Sequence, residues 1–132
     1  MNILNKIPFK TAYWTLFVLF AAMLIFHLLV LLSFIPFNIV WGGRLQTHQQ
    51  MVSFETVSIV VILCLLLVIQ IKVKSSRTGL KNAAKVLLWG FSLLFLLNTI
   101  GNLLAKTTLE TLVFTPLTMI SSALCLRIAV EK

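Results

Sequence analysis

The sequence predicts an all-α integral membrane protein, an antiparallel four-helix bundle with both termini in the cytoplasm. Of its 132 residues, 60% are hydrophobic and 11% are charged, whereas a soluble domain carries about a quarter charged residues. The hydrophobic residues fall into four runs of the roughly 20 residues that a helix needs to cross a bilayer. Because the connections between these runs are short, neighbouring helices are expected to be antiparallel. This composition excludes a soluble globular domain and a disordered chain.

Four spans are predicted within one domain, 1–132: residues 13–34, 51–71, 83–104 and 112–130. Pro36, Asn38 and the pair Gly42-Gly43 follow the first span and indicate a turn-rich loop. The basic stretch 72–82 and the short polar stretch 105–111 separate the remaining spans. The first span is too long for a typical signal-peptide core, and no small-x-small cleavage site follows it, so we expect a retained helix.

The distribution of basic residues predicts the orientation. The chain has eleven Lys and Arg against three acidic residues, a net charge of +8. Arg44 and Lys106 would lie on one side of the membrane, and nine would lie on the other: Lys6, Lys10, Lys72, Lys74, Arg77, Lys81, Lys85, Arg127 and Lys132. The positive-inside rule places the termini and loop 72–82 in the cytoplasm, and loops 35–50 and 105–111 outside it. Because the charges flank apolar runs, no nucleic-acid partner is predicted.

Small side chains recur along one face of the fourth span with a 4-3-4-3-4 spacing. These are Thr111, Thr115, Thr118, Ser122, Cys125 and Ala129. Lipid tails give helices no hydrophobic reason to associate, so small residues that allow close approach typically mark helix contacts. The stripe therefore predicts a helix-packing seam, and a hydroxyl-lined pathway is the alternative.

Strongly polar residues are predicted to meet in the half of the membrane that faces away from the cytoplasm. Counting 1.5 Å per residue along each span, this layer receives His27, Arg44, Glu55, Ser58, Asn98, Asn102 and Glu110. Ionisable groups at membrane depth are costly and are therefore candidates for function. The layer is the candidate ligand-binding site.

Three hypotheses follow for this layer. In the first, the protein is a non-enzymatic accessory or interaction subunit, with Arg44 or Lys106 neutralising the acids in a structural network. In the second, the layer is an outward-facing binding or transport site for a small molecule, an ion or a lipid headgroup, using Glu55, Asn98, Asn102 and Arg44. In the third, His27 or Glu55 transfers protons in an intramembrane enzyme. The third has least support, because no nucleophile, metal set or cofactor fingerprint accompanies it.

Neither a metal nor a cofactor is predicted. Apart from the loop residue His48, no second histidine accompanies His27, and zinc sites need several such ligands. The two cysteines, Cys64 and Cys125, lack a CxxC arrangement, and we expect both to be reduced core residues.

Three segments resemble a group of small, uncharacterised bacterial four-span inner-membrane proteins. They are Trp41-Gly42-Gly43-Arg44, Asn98-Thr99-Ile100-Gly101-Asn102 and Phe114-Thr115-Pro116-Leu117-Thr118. The resemblance implies a bacterial inner (plasma) membrane location and carries no activity. The expected partners are the lipid bilayer and either a second copy of the chain or another membrane protein.

Overall fold

A computed structural model describes residues 4–131, and within that range every regular element is helical. The long helices are α1 (Phe9–Leu31), α2 (His48–Lys74), α3 (Thr78–Leu103) and α4 (Thr115–Ala129), the last continuing from a π-helical turn, Glu110–Phe114. With that turn included in the fourth, all four are long and apolar enough to cross a membrane. Each predicted span overlaps one of these helices, and the bounds differ by up to five residues.

The helix ends follow from local chemistry. Thr47 caps α2: its hydroxyl accepts a hydrogen bond from the Gln50 amide at 3.2 Å, while the Gln50 side chain accepts from the Thr47 amide. This reciprocal arrangement satisfies amides that lack partners at a helix start. Pro116 lies in the first turn of α4, and the π-helical turn before it widens the backbone where a proline ring would otherwise crowd the preceding turn.

The helices form an antiparallel ring in which α1 and α3 each pack against α2 and α4, and the α3–α4 interface is the most extensive. We call the end with residues 4–8, 75–77 and 130–131 the terminal end, and the end with residues 32–47 and 104–109 the loop end. The apolar core occupies the terminal half and the middle of the bundle. It includes Ala12, Leu16, Leu65, Ile69, Leu88, Cys125, Ile128 and Ala129.

The outward faces of the helices are apolar. Val86 and Leu112 are each 69% exposed, and Val18 is 62% exposed. Every helix exposes aliphatic side chains on its outward face. Ordinary soluble monomers avoid apolar surfaces of this extent.

Polar side chains tie the chain ends together at the terminal end. The buried Arg127 donates from Nε to the Ile7 carbonyl at 2.8 Å and pairs with Glu131 at 2.6 Å. Lys72 donates to the Glu131 carbonyl at 2.7 Å. These contacts close the bundle where α1 begins and α4 ends.

The predicted seam of small residues lies on the side of α4 that faces α3. Ser92 and Ser122 each donate to the other's carbonyl, at 2.9 and 2.8 Å. Thr118 lies 2.9 Å from the hydroxyl of Thr99. The remaining seam residues are Thr111, Thr115, Cys125 and Ala129, of which Cys125 and Ala129 are fully buried. The α3–α4 contact therefore combines close approach with hydroxyl hydrogen bonds, as membrane helix pairs do.

The expectation that both cysteines belong to the core is wrong for one of them. Cys125 is buried, whereas Cys64 is exposed on α2. Cys64 follows Leu63, which is 49% exposed, so both residues lie on the outward side of their helix. A small apolar thiol is compatible with either environment, and residue type alone could not separate them.

Candidate functional site

The loop between α1 and α2 folds back over the helix ends and contributes to the site. Its residues Trp41, Gly42 and Gly43 all have positive φ angles, of 55, 72 and 68°. We call residues 40–44 the strap. Val40 anchors it in a small apolar cluster with Val30 and Met51.

Glu55 is fully buried and holds the strap to α1. Its Oε2 accepts from Nδ1 of His27 at 2.6 Å, and its Oε1 accepts from the indole nitrogen of Trp41 at 2.9 Å. Burial removes the water molecules that would otherwise donate hydrogen bonds to a carboxylate, and here each oxygen has a protein donor instead. Glu55 therefore connects three parts of the chain: α1, the strap and α2.

Glu110 holds the strap from the opposite side. Both of its oxygens accept from the Gly42 amide, at 2.8 and 2.7 Å, and Oε2 also accepts from the Thr107 hydroxyl at 2.6 Å. The side chain is 5% exposed. Charge-assisted hydrogen bonds of this kind are stronger than neutral ones. Two buried acids thus fasten consecutive residues of the strap.

The strap conformation needs these contacts. A left-handed φ is uncommon for a bulky residue such as Trp41 and costs on the order of 1–3 kcal/mol. The indole bond to Glu55 and the packing of Trp41 against Phe54, with ring centroids 4.7 Å apart, oppose that cost. A Cβ on Gly43 would lie 3.2 Å from the Thr107 side chain, so close approach of the two loops also favours glycine there.

The strap and all four helices enclose one cavity of about 350 Å³ at the loop end. Its apolar wall includes Met23, Phe26, Val40, Leu97, Phe114 and Leu117. Its polar wall includes His27, Arg44, Ser58, Asn98, Asn102 and Glu110. A concave, largely apolar space with a few converging polar groups is typical of small-ligand sites.

The cavity is open on the side of α3. Leu97 is 57% exposed, and Asn98 and Gly101 are exposed as well, although all three line the cavity. A Cβ added to Gly101 would meet no atom within 4 Å. The opening therefore lies at a point where the helix wall has no side chain.

Six of the seven residues proposed from the sequence as a ligand-binding layer line this cavity, and Glu55 lies behind it, bonded to His27 and Trp41. The expectation that Arg44 or Lys106 neutralises the acids is wrong: within residues 4–131, neither residue forms an ion pair. Glu55 and Glu110 are satisfied by the donors of His27, Trp41, Gly42 and Thr107 instead.

Sequence reasoning missed the roles of Trp41, Gly42 and Thr107. The glycine pair indicates only a turn-rich loop, and the sequence predicts no role in the site for Trp41 or Thr107. The local signal was present in the form of an aromatic N–H donor next to two glycines. Which acid each donor would reach depends on a loop conformation that spacing does not reveal.

Within the described part of the chain, no three His, Cys, Asp or Glu side chains come together as a metal site. No protein-family model, curated protein or solved structure matches the chain.

Proposed function

We propose that the chain is a multi-pass protein of a bacterial inner (plasma) membrane, with its loop end facing away from the cytoplasm. Four long apolar helices with exposed aliphatic faces support membrane insertion. Of the ten basic residues between positions 4 and 131, eight belong to the terminal end or the adjoining 72–85 region, and the positive-inside rule then directs that end to the cytoplasm.

We further propose that the protein binds a small ligand in the cavity at the loop end. The observation that carries this proposal is the convergence of polar groups from four helices and the strap on a single cavity of about 350 Å³ that remains open on the α3 side. A network whose purpose is purely structural would be expected to fill that space with its own side chains, since protein interiors are close-packed.

Gly101 and Gly90 provide a matched pair of variants to test this. Neither has an atom within 4 Å of a built Cβ, and Gly101 lines the cavity whereas Gly90 lies eleven residues earlier on α3. Because the first side-chain carbon has room at both positions, Gly101→Leu should obstruct the cavity at its wall, and Gly90→Leu should leave it unchanged.

The measurement is the thermal shift of detergent-solubilised protein with a panel of probes: dihexanoyl phosphatidylglycerol, dihexanoyl phosphatidylcholine, tetraphenylphosphonium and inorganic phosphate. We expect at least one probe to stabilise the wild type and Gly90→Leu, and not Gly101→Leu. No shift with any probe, or equal shifts in the two variants, would refute cavity binding.

A second candidate function is that of a non-enzymatic accessory or interaction subunit, assembled with a second copy or another membrane protein. Full satisfaction of Glu55 and Glu110 by internal donors favours it, because such bonds fix a membrane fold without any ligand. Under this function, Glu55→Gln lowers stability or assembly, and the probe panel gives a flat response in every variant.

A further inference from the structure

Resting on the proposed function, we propose that the cavity ligand is an acidic amphiphile, with an oxyanion headgroup such as phosphate held by Arg44 and Asn98 and an apolar chain against the aromatic and aliphatic wall. Three independent features lead to this ligand class: the assignment of hydrogen-bond partners, the position of the cavity along the helices, and its opening.

The internal hydrogen bonds show which polar groups near the cavity already have partners and which can bind a ligand. Glu55 is buried and accepts from two side chains, and Glu110 accepts from the Gly42 amide and the Thr107 hydroxyl. These carboxylates have internal donors, so a cationic ligand would have to compete with the bonds that hold the strap.

Arg44 and Asn98 are the available groups. Within the described chain, the Arg44 guanidinium has no carboxylate partner and Asn98 makes no side-chain hydrogen bond. The Arg44 stem lies against Gly42, with Nε 3.4 Å from a built Cβ, so the side chain follows the strap along the cavity wall. A guanidinium presents its donors in a planar fork that matches two oxygens of a phosphate or carboxylate.

The negative charge of Glu110 opposes an anion in this cavity. Its three hydrogen bonds come from a backbone amide and a hydroxyl on the side of the strap and the α3–α4 connection, and they place compensating dipoles around the carboxylate. The exposed guanidinium carries a full positive charge. The Arg44 guanidinium therefore sets the preference of the cavity for an anionic ligand, and replacing Arg44 with a neutral residue should weaken that preference.

The position of the cavity fits a headgroup at the edge of the bilayer. Asn98 lies five residues before the end of α3, and His27 lies four residues before the end of α1, which is about 6–8 Å along each helix at 1.5 Å per residue. The opening on the α3 side would face lipid, so an amphiphile can enter sideways and keep its chain in an apolar environment.

Two substitutions test the headgroup contact. Arg44→Gln removes the guanidinium, and Lys106→Gln removes the other basic residue of the loop end, which does not line the cavity. Binding of dihexanoyl phosphatidylglycerol, measured by native mass spectrometry in a neutral detergent, should weaken by at least about tenfold in Arg44→Gln. It should stay within about twofold of wild type in Lys106→Gln, because a screened surface charge contributes little.

The other binding measurements distinguish a lipid headgroup from free phosphate as the bound oxyanion. They also distinguish a failure of this inference from a failure of the proposed function. Phosphatidylglycerol binding that is blocked by Gly101→Leu and weakened by Arg44→Gln supports the acidic amphiphile. Stronger binding of inorganic phosphate than of the lipid would replace it with a free anion. Preferential binding of tetraphenylphosphonium or phosphatidylcholine, blocked by Gly101→Leu, would overturn the acidic class and leave cavity binding intact. No binding in any arm would overturn both proposals.

Discussion

The two ends of the bundle are stabilised by different means. At the terminal end, apolar side chains such as Leu16, Leu65 and Ile128 are fully buried between the helices. At the loop end, the helices leave a cavity, and two buried acids hold a loop segment against it. At the terminal end the helices are joined mainly by apolar packing, with the polar contacts of Arg127 and Lys72 beside it, whereas at the loop end buried carboxylates join the helices to a loop.

This contrast shows which end of the bundle contains energetically unfavourable features. Buried carboxylates require several donors each, and a left-handed tryptophan adds backbone strain. Close-packed leucine and isoleucine would avoid both costs. The two buried carboxylates and the left-handed tryptophan both lie beside the cavity at the loop end, and functional sites commonly accept such local costs.

The largest expected effect is at Glu55. Glu55→Gln places an amide NH₂ group opposite one of two N–H donors, from His27 or Trp41. Breaking a buried pair of this kind costs about 3 kcal/mol. Unfolding in detergent, followed by tryptophan fluorescence during SDS titration, should show a loss of that size.

Glu131→Gln is the matched control for Glu55→Gln at the terminal end. The Glu131 side chain is 39% exposed, a glutamine there keeps an acceptor oxygen for Arg127, and Arg127 also donates to the Ile7 carbonyl, so Glu131→Gln should cost less than about 1 kcal/mol. Equal losses at the two positions would contradict the distinction between the two ends.

Alanine substitutions at two glycines should change the free energy of unfolding by smaller amounts, and the two changes should have opposite signs. Gly42 in the strap has φ of +72°, and an alanine there would be strained by about 1 kcal/mol. Gly90 lies inside α3 with open space around it, and Gly90→Ala should stabilise the helix by up to about 1 kcal/mol. The same SDS titration measures both variants, and destabilisation by Gly90→Ala would show that its face is occupied.

Much of the architecture could be predicted from the sequence. Apolar runs of bilayer length and the breakers between them locate the four helices to within about five residues, because each run is long, strongly apolar and bounded by polar, Gly or Pro residues. Depth along the helices also brought His27, Asn98 and Asn102 to one level, since rise per residue is constant.

The partners of the acids could not be predicted in the same way. Arg44 and Lys106 have the right charge to pair with Glu55 and Glu110, yet the structure uses the Trp41 indole and the Gly42 amide. These donors reach the acids through a left-handed backbone turn, and a loop conformation has no hydrophobic period from which it can be derived. Charge complementarity was therefore a poor guide to partner choice.

The smallest expected effect concerns the α3–α4 seam in the middle of the bundle. There the contribution of hydrogen bonds between helices can be compared with that of the buried carboxylate at the loop end. Ser92 and Ser122 exchange two hydrogen bonds with each other's carbonyls and lie 2.9 Å apart through their hydroxyls. In a double-mutant cycle of Ser92→Ala and Ser122→Ala, the coupling free energy of unfolding should be about 0.6 kcal/mol, the average for polar contacts between membrane helices. A coupling as large as the Glu55 loss would mean that buried hydrogen bonds, rather than close packing, dominate the helix-to-helix contacts as well.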